Sequence, residues 1–140
     1  MNKKCVFILL AIGAVVLCLL AFVAFYAVPF VRGNNIIVHV NQNGINAEVE
    51  SDWITNEDLK LMQIVDNDLI REDTYTSIKT KTNMSWISWN KISIIYDITA
   101  NVKNWDDNAK IVQCDGKREM IFVFSDFKWI VEKVADSPVS

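Results

Sequence analysis

The chain has 140 residues, 51% of them hydrophobic, with 14 basic and 17 acidic side chains and a net charge of −3. Setting aside Lys3, Lys4 and Arg32, which flank one apolar run, leaves 11 basic residues against all 17 acids, a net of −6. That balance argues against nucleic acid or an anionic membrane surface as partner of the remainder, since both require a basic footprint.

The apolar run comes first. From Cys5 to Val31 no Asp, Glu, Lys or Arg occurs in 27 residues. A helix rising ~1.5 Å per residue needs ~20 apolar residues to cross a hydrocarbon core of ~30 Å, so the run is long enough to span. A cleaved secretory signal has an apolar region of only ~7–15 residues and a small-x-small site. Cutting after Ala24 or Ala27 would put Phe22 or Phe25 at the small position. Val31-Arg32-Gly33 fits better, with Pro29 expected to break the helix just ahead of it. The length of the run favours a retained signal anchor. A lipoprotein reading fails because Leu17 precedes Cys18. A type IV pilin shares the general plan of apolar helix and head, but its leader glycine and helix glutamate are missing here.

Lys3 and Lys4 precede the run, while Arg32 alone follows closely and the next basic residue is Lys60. The positive-inside tendency then makes residues 1–4 a cytoplasmic stub, 5–31 a single transmembrane helix and 34–140 an extracytoplasmic domain. Tyr26 and Arg32 suit the outer interface. Of the three cysteines only Cys114 lies beyond the run, so no disulfide can form inside the domain.

Within the domain, "NIIVHVNQNGINAEVE" reads as strands Ile36–Val40 and Ile45–Glu50 around an Asn43-Gly44 hairpin turn. Thr55 is an N-cap candidate, with Leu61, Met62, Val65 and Leu69 following at helical spacing. Thr74, Thr76, Thr80 and Thr82, at even positions with Ile78 between them, suit a polar edge strand. "KISIIYDITANVK" alternates strictly: Ile92, Ile94, Tyr96, Ile98, Ala100 and Val102 share one face, with Ile95 the exception on the other. Asp115-Gly116 reads as a hairpin turn between strands Ala109–Cys114 and Lys117–Ser125. Met120 to Phe124 is apolar on both faces, as in a covered central strand. A last strand runs from Phe127 to Val134, with Trp129 in the core. The expected fold is α+β: a transmembrane helix, then a small, mainly antiparallel curved sheet packed on one helix.

"KREMIFVFSDFKWIVEKV" resembles the closing hairpin of membrane-anchored extracytoplasmic domains of the nuclear transport factor 2-like or cystatin-like class. The resemblance covers about the last thirty residues and implies a sheet wrapped around helix.

Candidate chemistry is sparse. His39 is the sole histidine, and Cys114 with His39 as base has no local mark of activation. Asp66, Asp68 and Glu72 miss the calcium-loop pattern, and Asn104 to Asn108 reads as a solvated turn. Asn83-Met84-Ser85 matches the glycosylation sequon. An Asp97–Tyr96 pair of the isomerase type would face opposite ways on one strand. No catalytic, cofactor or metal set is assigned. Tryptophan is the richer signal. Trp53 and Trp129 read as core, whereas in "SWISWN" the three-residue spacing puts Trp86 and Trp89 on opposite faces unless a bulge intervenes. These two are the possible partner-binding aromatics.

The function read from the sequence is a non-catalytic binding or assembly module of the cell envelope. It is anchored in the membrane through residues 5–31, and its partner is another envelope protein. The alternatives are an immunity or inhibitor protein at the cell surface, or a small pocket enzyme of the nuclear transport factor 2-like class.

Overall fold

Neither Pro29 nor Gly33 stops the first helix. In the computed structural model, which describes residues 2–44, 52–71, 74–104 and 110–136, helix α1 runs unbroken over Lys3–Asn43, with both residues inside it. Asn2 caps the start through its side chain, and Gly44 ends the helix at φ 79° with its N–H on the Val40 carbonyl at 2.9 Å. The expected strand Ile36–Val40 is therefore the last part of a helix, and Asn43-Gly44 is a helix terminus. A short run of Ile and Val carries both periods, but Pro29, Gly33, Ile36, Ile37, Val40 and Asn41 form one buried helical stripe that outweighs the alternation. The companion strand Ile45–Glu50 lies outside the described residues.

Pro29 is tolerated for an identifiable reason. Its ring nitrogen cannot donate to the carbonyl of Phe25, four residues back. The indole Nε1–H of Trp129 donates there instead, at 3.0 Å.

Helix α2 (Asn56–Met62) begins as expected, with Thr55 Oγ1 accepting from the Asp58 N–H at 3.2 Å. It is shorter than its spacing suggested, since Gln63 leaves the helix and a single 3₁₀ turn follows at Asn67–Leu69. Asn41 pins this departure. Its side chain is fully buried and accepts from the N–H groups of Ile64 (2.7 Å) and Val65 (3.1 Å), while donating to the carbonyls of Ile37 and Met62.

Four strands then pair in chain order as an open antiparallel meander: β1 (Thr74–Ser88), β2 (Lys91–Asn104), β3 (Ile111–Ser125) and β4 (Lys128–Asp136). The fold is α+β. β1 is an edge strand, as its threonines suggested. The six alternating residues from Ile92 to Val102 in β2 are all buried, forming with Met120, Phe122, Trp129, Val131 and Val134 the sheet's side of the core. The second half of α1 and helix α2 cover that face.

Three further strand readings differ from the structure. Asp115-Gly116 is not a turn: β3 runs straight through it, with Asp115 opposite Thr99 and Gly116 opposite Ile98. The glycine serves close approach, because a Cβ there would lie 3.3 Å from Cβ of Ile64. Met120 to Phe124 is central but covered on one side only: Met120 and Phe122 face the helix, while Ile121 and Val123 on the other face are half-buried. In β4 the register shifts opposite Ile121/Phe122, which brings Trp129, Val131 and Val134 to one face despite their unequal spacing. Phe127, expected to start that strand, is in the turn before it.

Candidate functional site

The two tryptophans of "SWISWN" are both on the surface. The register shifts between Trp86 and Ser88, leaving Ile87 as the extra residue of a bulge before the two-residue turn Trp89-Asn90. That bulge is the condition under which the two indoles need not oppose each other, and it leaves Trp86 56% and Trp89 70% exposed. Trp86 nevertheless has neighbours on one side: its ring centroid is 5.7 Å from Tyr26, edge-on, and 6.3 Å from Phe22. The Tyr26 hydroxyl donates to the carbonyl of Trp89 at 2.6 Å.

The second hairpin turn lies beside the first, with the Phe124 N–H on the Asn90 carbonyl at 2.7 Å. Its central residues, Asp126 and Phe127, both have left-handed backbones, φ 53° and 64°. Two positive φ values match the twist of a two-residue hairpin, but the second position normally takes glycine. Here it holds a phenylalanine that is 98% exposed. Phe127 and Lys128 line a shallow groove with Phe25, Val28, Arg32, Phe124 and Trp129. One end of the sheet thus gathers Trp86, Ile87, Trp89 and Phe127, all exposed, around helix residues Phe22 to Val28. Sequence reasoning found the tryptophans and missed Phe127, whose only signal was an aromatic in a Ser-Asp-Phe-Lys turn.

Trp129, Trp53 and Arg32 hold the fold together. Trp129 is buried against Phe25, Tyr26 and Phe124. Trp53 stacks on Phe122 at 6.2 Å, and its carbonyl takes the Val131 N–H, covering the β4 edge. Arg32 donates to the Trp129 carbonyl at 3.2 Å and sits 5.8 Å over the Trp53 ring, so it is held by the domain. Trp105 lies outside the described residues.

The ionisable candidates do not converge. His39 is on α1 with Asn43 Nδ2 3.3 Å from its Nδ1. Cys114 pairs with Ala100 in the ladder and packs beside Val65 and Val102. Burial, then the charges of Asp66 and Asp115, push its thiol up, away from the thiolate a nucleophile needs. Tyr96 is buried on the helix side, whereas Asp97 is exposed on the other face 3.9 Å from Lys117. Among the described residues no group of three His, Cys, Asp or Glu could hold a metal ion; Glu72 and residues 105–109 fall outside them. No family model, curated protein or solved structure matches the chain.

Residues Cys5–Ala24 of α1 are exposed throughout, and the helix is long and apolar enough to cross a membrane, with a mean hydropathy of 3.2 over an 18-residue stretch.

Proposed function

We propose that the protein is a single-pass membrane protein whose sheet domain is a non-catalytic binding or assembly module held outside the membrane. The observation that carries this reading is the division of α1: twenty exposed apolar residues continue without a break into a half that fills the core. That division also supports retention of the helix. Cleavage after Gly33 would remove Phe25, the carbonyl acceptor of Trp129, and the glycine against which Tyr96 packs. Lys3 and Lys4 support a cytoplasmic N-terminus through the positive-inside tendency. The resemblance of the closing hairpin to nuclear transport factor 2-like or cystatin-like domains bears on fold and not on function. The absence of a convergent ionisable set among the described residues favours binding over the pocket enzyme. An inhibitor of a basic toxin is the alternative the acidic balance favours.

Alkaline carbonate extraction combined with protease protection tests the reading. The chain should stay with membranes, and its domain should be digested only from the outer side. A soluble mature chain beginning near Asn34 overturns it. A second reading, assembly through the helix itself, is favoured by the same exposed apolar surface. Oxidation of Cys5 and Cys18, both exposed on the helix, to disulfide-linked dimers in native membranes would support it.

A further inference from the structure

We infer that the two hairpin turns bearing Trp86, Trp89 and Phe127 are seated in the phospholipid interface beside α1, so that the domain docks on the membrane it is anchored in. This rests on the reading of α1 as a transmembrane helix.

Depth is the first argument. Counting ~20 residues from Cys5 for a ~30 Å core ends the span at Ala24. Phe25 is the first residue of α1 packed against the core, one turn after Phe22 meets Trp86 of β1. Both turns meet the helix at that level: Trp86 beside Phe22 and Tyr26, the Trp89 carbonyl on the Tyr26 hydroxyl, and Phe127 across the groove from Phe25 and Val28. With α1 across the bilayer, these side chains have nowhere to be but the boundary layer.

Chemistry is the second argument. Tyrosine and tryptophan, each an apolar ring with one polar handle, concentrate at membrane–water interfaces. The patch is continuous with surface that lipid must cover, since Phe22 belongs to the exposed apolar helix and also touches Trp86. Phe127 is the third. A fully exposed phenylalanine held in a left-handed turn, where glycine would be free of strain, marks a side chain retained for what it contacts. Because the domain is acidic, the contact is apolar and aromatic insertion rather than attraction to anionic headgroups.

The test uses the full chain reconstituted in phosphatidylcholine vesicles carrying bromine at a shallow acyl position. Tryptophan emission is compared between wild type and the W86F/W89F variant, with circular dichroism confirming an unchanged sheet. The quenchable emission should fall by at least half in the variant, and Phe127→Trp in that background should restore part of it. If Trp86 and Trp89 are quenched by aqueous acrylamide but not by bromolipid, while the chain resists carbonate extraction, docking is wrong and anchoring stands. If neither quencher reaches them, protein covers the patch, a second copy included, and the inference falls. Extraction of the chain by carbonate overturns both readings together.

Discussion

Tyr96 is the largest fully buried side chain among the described residues, and its hydroxyl has no hydrogen-bond partner among them. It lies against Gly33, where a Cβ would overlap the hydroxyl and come within 2.9 Å of Tyr96 Cζ. Gly33→Ala should therefore destabilise by about 1–3 kcal/mol, although alanine is intrinsically the better helix former. Tyr96→Phe removes an unpaired buried hydroxyl and should be neutral or stabilising by about 1 kcal/mol. Combined with Gly33→Ala it should recover part of the loss, measured by urea denaturation of each variant. Burial raises the Tyr96 pKa well above its ordinary value. The unfolded phenol ionises near pH ~10 while the folded one stays neutral, so stability is intact below that pH and falls above it. The expected slope is up to about 1.4 kcal/mol per pH unit, and it should be reduced in Tyr96→Phe. A second residue-scale test concerns Trp129. Trp129→Ala should cost about 3–5 kcal/mol, and Trp129→Phe only the hydrogen bond to Phe25, about 1 kcal/mol. Pro29→Ala supplies an N–H for the same carbonyl, so it should rescue Trp129→Phe in a double-mutant cycle.

Among the elements, those with a single period and clear ends were legible. β2 shows one apolar face over its whole length, and α2 has its Thr55 cap. The reading failed where one short stretch supports two structures. Ile36 to Val40 alternates like a strand, and only contact with Met62 and the sheet selects the helical stripe. Asp115-Gly116 has turn chemistry, but its glycine is needed for Ile64 and its backbone for the β2 ladder. The site was half legible: the "SWISWN" spacing put its tryptophans on opposite faces unless a bulge intervened, and a bulge is present, whereas the position of Trp86 beside Phe22 depends on how the helix crosses the sheet. Asn41 carried no signal of its own in the sequence; it is the clamp between α1 and the segment after α2. Asn41→Leu should cost about 2–4 kcal/mol by leaving the N–H groups of Ile64 and Val65 unpaired. Hydrogen exchange at those two amides, faster in the variant, checks the mechanism.

At the scale of the whole molecule, the apolar helix and the sheet domain share residues instead of meeting at a joint. A fragment beginning at Asn34 keeps Ile36, Ile37 and Val40 but loses Phe25, Pro29 and Gly33. It should be less stable than one beginning at Phe22 by about 3–5 kcal/mol, the range for removing a large buried aromatic. Paired urea curves give the difference directly. The unbroken helix also has a mechanical meaning. A head on a flexible linker can swivel and search a hemisphere for its partner. Here the nineteen residues from Phe25 to Asn43 form a stiff post about 28 Å tall. With α1 across a bilayer as proposed, whatever binds the sheet must come to it within that height of the membrane and at one heading, and a change in helix tilt will turn the head by the same angle.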